Sequence, residues 1–302
     1  MARNTDIYEE TLLDFKSYLR LERSFSPNTI AGYMSDCRNY CSFLKESETA
    51  PADATSDDIL SYLAGRQDEG ITKRSQSRLV SSIKSLYGFL ESEGKLETNP
   101  CDRISTPKLN PYLPTVLSVD EVFRIMDSVD LSQPLGNRNR CILEVLYSCG
   151  LRVSELVDLR ISNLFLQEGF IKVLGKGNKQ RLVPVGEPAI KAIRFYLEDR
   201  NQGPVKRDSE DILFLNRRGG KLTRVMILMI VKEQAAKAGI TKTISPHTFR
   251  HSFATHLVEN GADLRVVQQM LGHESILTTE IYTHIDSAKW QDTILKYHPK
   301  FK

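Results

Sequence analysis

Residues 245–262, SPHTFRHSFATHLVENGA, read as a helix that carries its own start and stop. Ser245 is a candidate N-cap, Pro246 suits the first turn, where a missing N–H costs no bond, and Gly261 suits the end. His247 and Arg250, three residues apart, then share one face. A fixed cation beside a titratable imidazole can hold and protonate an anion, and Tyr282, one short helix and a turn further on, is placed to attack it. His247 and His251, at i and i+4, also raise zinc. A zinc-protease helix has Glu after the first His, however, and Thr248 stands there. His256 reads as a packing residue, and His284 lies near Tyr282 without a role of its own.

Upstream of this helix the chain alternates in period. A capping box, Ser118-x-x-Glu121, leads a helix over 119–128, and a long apolar helix over roughly 136–148 stops at Gly150. LRVSELVDLR, residues 151–160, reads as a short helix with a charged pair, Arg152 and Glu155, among leucines. The period then becomes two: residues 164–166, 170–173 and 181–184 read as three short strands in a small antiparallel meander. GKGNK, residues 175–179, is a tight turn projecting Lys176; it lacks the Gly-Lys-Ser/Thr ending and following helix of a phosphate-binding P-loop. Helices over 187–200 and 223–238 follow, separated by Ile212-Leu213-Phe214 and the basic turn Arg217-Arg218-Gly219-Gly220. The tail, 286–302, reads as a helix with Trp290, Ile294 and Leu295.

The first hundred residues carry only helical periodicity. Helices are expected over 6–22, from Ser26-Pro27-Asn28 to about residue 46, over 57–65 and over 75–93, making a four-helix bundle. Cys37 and Cys41 belong to the apolar stripe of the second. Lys73, Arg74 and Arg78 gather at the start of the fourth, where they could meet phosphates or serve as solvated charges. Residues 99–116 hold four prolines, which block regular structure and mark a linker. The expected divisions are a helical domain over 1–105, a linker over 106–116 and a second domain over 117–302.

Bulk properties narrow the class. A chain of 302 residues with 40% hydrophobic and 26% charged residues is long enough for two globular domains. No apolar run is long enough to span a bilayer, and MARNTDIYEE does not resemble a secretory signal, which favours the cytoplasm. Five cysteines without a Cys-x-x-Cys pair suggest neither a disulfide framework nor a zinc ribbon. Residues 1–110 carry 14 Lys+Arg against 17 Asp+Glu, and residues 111–302 carry 27 against 21, so a polyanionic partner would lean on the second part.

The set Arg152, Lys176, His247-x-x-Arg250, Leu271-Gly272-His273 and Tyr282 resembles the tyrosine site-specific recombinases, the phage integrase family. SCGLRVSEL, GKGNKQRLVP, SPHTFRHSFATHL and LGHESILTTEIYTH carry the likeness most specifically, and SxNTIxxYxxD at 26–36 resembles that family's helical DNA-clamping domain. The compact length is most similar to the Xer-type enzymes that resolve chromosome dimers. The resemblance implies a mainly α fold with a small antiparallel β-meander, and metal- and ATP-independent cleavage and rejoining of duplex DNA without a cofactor. In it Arg152 and Arg250 hold the phosphate, Tyr282 attacks, and Lys176 protonates the leaving 5′-hydroxyl. His247 accepts or buffers the tyrosine proton, His273 donates to the phosphate, and Glu155 orients the site. Lys73, Arg74, Arg78, Lys179, Arg181, Arg217 and Arg218 are candidate DNA contacts. The likeness further implies a homo- or hetero-tetramer on a recombination site, a Holliday-junction intermediate, a paralogous recombinase or motor protein as partners, nucleoid association without a membrane, and a terminal helix that docks into a neighbouring subunit. An integrase or invertase of a mobile element shares this active site. A type IB topoisomerase shares the nucleophile, and a non-catalytic DNA-binding protein would not need the filled site.

Overall fold

The computed structural model describes residues 6–96, 98–107, 115–175, 180–272 and 284–301, with backbone alone for 284–289 and 301. The chain divides into two compact units, residues 1–112 and 113–302. The fold is mainly helical with one small antiparallel sheet, as expected.

The first unit holds four helices: α1 (Ile7–Leu21), α2 (Pro27–Glu46), α3 (Ser56–Asp68) and α4 (Lys73–Ser92). Three of them begin on a hydroxyl cap. The Thr29 amide donates to Ser26, Ser75 donates to Thr72, and Thr55 and Asp58 close a reciprocal box. Each such cap contributes roughly 0.5–2 kcal/mol. Phe15, Leu19, Cys37, Tyr40, Leu44, Ile59, Leu86 and Tyr87 fill the core. The Tyr40 and Tyr87 hydroxyls meet at 2.8 Å, so neither is buried without a partner.

The second unit begins at α5 (Val119–Asp127), where Ser118 and Glu121 form the expected capping box. α6 (Gly136–Cys149) is buried on every side over its last turns, the signature of a central helix. After α7 (Val153–Val157), strands β1 (Leu164–Phe165), β2 (Phe170–Leu174) and β3 (Gln180–Pro184) pair in that order, antiparallel, with Ile171 opposite Val183 and Val173 opposite Arg181. α8 (Glu187–Gln202), α9 (Arg224–Lys237), α10 (Pro246–Glu259), α11 (Leu264–Leu271) and α12 (His284–Tyr297) complete it.

All five cysteines are buried and free. Burial pushes the Cys41 and Cys101 thiols up to about 12, which keeps them unreactive. Among the described residues no helix is long and apolar enough to cross a membrane, and no group of three or more His, Cys, Asp or Glu could hold a metal ion. The terminal helix buries Trp290 and Ile294 in the core of its own unit.

Candidate active site

The site is organised around the turn that ends α6. Gly150 adopts φ 58°, and a Cβ there would lie 2.5 Å from the Phe253 ring, so only glycine lets the chain leave α6 against α10. Arg152 follows as the residue that caps α7. Its backbone amide donates to Glu155 Oε2 at 2.9 Å and its Nη1 to Oε1 at 3.0 Å. Its Nη2 extends away to the Gly272 carbonyl, 2.9 Å distant at the end of α11.

Arg250 arrives from α10. It is 8% exposed, and its two terminal nitrogens donate to the carbonyls of Gly150 and Leu271, both at 2.6 Å. Burial, followed by repulsion from Arg152, pulls its guanidinium down to about 10, so it remains a cation at neutral pH. His247 is exposed in the first turn of the same helix. The start of α10 is closed by the Ser245 amide donating to Thr248 Oγ1 at 3.1 Å, which is where Thr248, standing in the position of the excluded zinc-site Glu, is used.

Arg181 is a correction. Expected to touch DNA, it is buried instead, with both terminal nitrogens on the Glu155 carboxylate at 2.7 and 2.8 Å and Nε on the Met270 carbonyl at 3.2 Å. Burial alone would raise the Glu155 carboxyl; the hydrogen bonds and charge of Arg181, then those of Arg152, outweigh it and hold the group below the usual carboxylate range. A signal for this was present: Arg181 shares a strand face with Val183, two residues on, and a buried guanidinium needs a carboxylate. Three arginines therefore converge on successive carbonyls, Met270, Leu271 and Gly272, where α11 presents the negative end of its dipole. The group holds three guanidinium cations and one carboxylate, a surplus of two positive charges.

Arg78 is exposed, and its fork closes on Asp36 at 2.8 and 2.9 Å, with Ser82 donating to the same carboxylate, so this cation also ties α4 to α2. Lys73 and Arg74 are exposed at the start of α4. Arg217 and Arg218 are exposed on a tight turn, where Asn216 Oδ1 accepts from the Arg218 and Gly220 amides. Gly219 there has φ 72°, and a Cβ would strike the Pro204 carbonyl. Lys176, Lys179, His273 and Tyr282 lie outside the described residues.

Residues 115–289 match the phage integrase family and residues 12–94 match the SAM-like N-terminal domain of phage integrases. The chain belongs to the phage integrase family: it is a tyrosine recombinase, an enzyme that cuts and rejoins DNA. Its relatives include the tyrosine recombinase XerD of Chlorobaculum tepidum, 44% identical across 99% of this chain and all of that one. XerD of Oceanobacillus iheyensis is likewise 44% identical, over 97% of this chain and 99% of that protein. Among solved structures, XerH bound to its difH substrate before cleavage has the same fold, with a TM-score of 0.70 at 20% identity over 91% of this chain and 93% of that one.

Proposed function

We propose that this enzyme is a site-specific recombinase that resolves chromosome dimers, working as a tetramer on DNA through a 3′-phosphotyrosyl intermediate and a Holliday junction. The observation that carries the chemistry is the convergence of Arg152 and Arg250, distant in sequence, on one end of α11, immediately before His273. Breaking a phosphodiester without a metal requires cations against its non-bridging oxygens, where charge accumulates in the transition state. Guanidinium forks match phosphate geometry, and Arg152 and Arg250 fill that role. Near-full-length similarity to XerD proteins supports the chromosomal role, and a paralogous recombinase and a DNA motor fit it as partners in the cytoplasm, on the nucleoid.

In this scheme the Tyr282 hydroxyl oxygen forms a bond to phosphorus as the bond from phosphorus to the 5′ oxygen breaks. His247 takes the tyrosine proton, Lys176 gives one to the leaving 5′ oxygen, and His273 donates to the phosphate. The phosphotyrosyl bond retains the energy of the broken one, so rejoining needs no ATP. Lys73, Arg74, Lys179, Arg217 and Arg218 carry the backbone contacts that position the duplex. Trapping the wild-type chain on genomic fragments and sequencing the attached DNA identifies the target. Tyr282→Phe is expected to bind that duplex normally and to form no covalent adduct on a denaturing gel; an adduct surviving in this variant removes Tyr282 as nucleophile.

A further inference from the structure

Arg181 is too deeply buried to touch DNA, which raises the question of why a third arginine stands behind the phosphate site. Its side chain is 5% exposed and pairs with a carboxylate only 2% exposed. Glu155 also takes two hydrogen bonds from Arg152, whose own side chain is 31% exposed. One carboxylate is thus shared between an inner, almost fully buried arginine and an outer one that reaches solvent. The same inner arginine reaches the Met270 carbonyl, two residues before the Gly272 carbonyl that Arg152 holds. A Cβ on Gly272 would sit 3.4 Å from Arg181 Nη1, so the α11 terminus packs directly on this guanidinium.

We infer that Arg181 is a positioning residue for strand cleavage: by neutralising Glu155 it leaves the positive charge of Arg152 available to the scissile phosphate, and it sets the end of α11 that leads to His273. This rests on the reading of Arg152 and Arg250 as the phosphate clamp. A phosphodiester carries one negative charge, and attack by a tyrosine oxygen takes the reacting group toward two. The surplus of two positive charges matches that final state. Without Arg181 the buried carboxylate draws fully on Arg152, the surplus falls to one, and the loss is felt most where the phosphate charge is greatest.

Charge logic separates this role from packing. Arg181→Gln in the full-length chain, on the duplex to which the wild-type protein becomes covalently attached, is expected to slow single-turnover adduct formation about 10- to 100-fold, as loss of a supporting partner does elsewhere. Binding in a gel shift stays within about threefold, the split expected for an interaction strongest in the transition state. The double change Glu155→Gln with Arg181→Gln removes both buried charges and restores the surplus of two. It is expected to cleave within about fivefold of wild type, a recovery that a packing role cannot produce. A double variant as slow as Arg181→Gln, or Arg181→Gln at the wild-type rate, overturns the inference. Should Arg181→Gln fail to fold, the double variant decides alone, since a loss of about 100-fold there contradicts the charge account. Arg152→Gln is measured alongside: a wild-type rate in it defeats the phosphate-clamp reading itself, whereas a slow Arg152→Gln beside a normal Arg181→Gln defeats this inference only.

Discussion

At the scale of single residues, Arg250 shows how a buried cation is held in place. Burial works against its charge, and two backbone carbonyls compensate by accepting its hydrogen bonds. The guanidinium is held in place before any phosphate arrives, so little reorganisation is needed when charge develops. Arg250→Ala is expected to slow adduct formation by about two to three orders of magnitude, the usual consequence of removing one electrostatic stabiliser. It should also lower Tm, because the Gly150 and Leu271 carbonyls lose their donors. A cleavage rate unchanged from wild type, in a chain shown by thermal melting to be folded, removes Arg250 from the site. The motifs around Arg152 and Arg250 mark both as candidate phosphate ligands, whereas Arg181, beside a turn with two lysines, resembles a surface residue until its strand face is known.

Among the elements, the tail is the one whose surroundings the sequence left most open. His298 is fully buried, its Nε2 lies 3.4 Å from the Tyr147 carbonyl, and its Nδ1 accepts the Lys300 amide at 3.2 Å. The neutral ring with its proton on Nε2 satisfies both neighbours, while a second proton would turn Nδ1 against the amide that donates to it. Burial accordingly pushes the imidazole down to about 3, with the nearby Lys300 and His256 adding to the shift, and burial lowers His256 as well. Lys300 pairs with Glu144, which also accepts from Arg140 at 3.1 Å.

A histidine whose folded pKa is depressed binds fewer protons in the native state than when released. Docking of the tail is therefore at full strength above the unfolded value of about 6.5 and weakens as pH falls below it, by about 1.4 kcal/mol for each unit until the folded pKa is reached. Proteolytic release of the C-terminal segment is expected to accelerate between pH 7.5 and 5.5. His298→Gln, which keeps a donor for Tyr147, should flatten that dependence, and a profile identical to wild type would exclude His298 as its source.

At the scale of the whole molecule, two units have separate cores, and their charges differ in sign. The exposed turn bearing Arg217 and Arg218 belongs to the positive unit. Each phosphate contact releases counterions, so the logarithm of the binding constant falls with the logarithm of salt concentration, with a slope of about 0.9 per contact. Replacing both arginines by Ala is expected to make that slope shallower by about 1.8 in a titration by fluorescence anisotropy. An unchanged slope would take this turn out of the interface.

Local physics made much of this protein legible from its chain. Caps and stops are bonds within a few residues, so Ser118 with Glu121 announced α5 and Gly150 announced the end of α6. Periods of 3.6 and 2 separated the helices from the small meander, because a side chain's direction repeats with its own backbone. The motifs around Arg152, His247, Arg250 and Tyr282 carried the family resemblance that implied the chemistry. Tertiary structure alone decided which cations are tied down within the fold. Arg78 is held by Asp36 in another helix, Arg181 by Glu155 across the domain, and Trp290 is buried on its own unit. The reason is that a charge is assigned by its partners in space: Arg181 spends both terminal nitrogens on Glu155, whereas Arg152 gives that carboxylate one and keeps its side chain partly exposed, and no spacing along the chain encodes that difference.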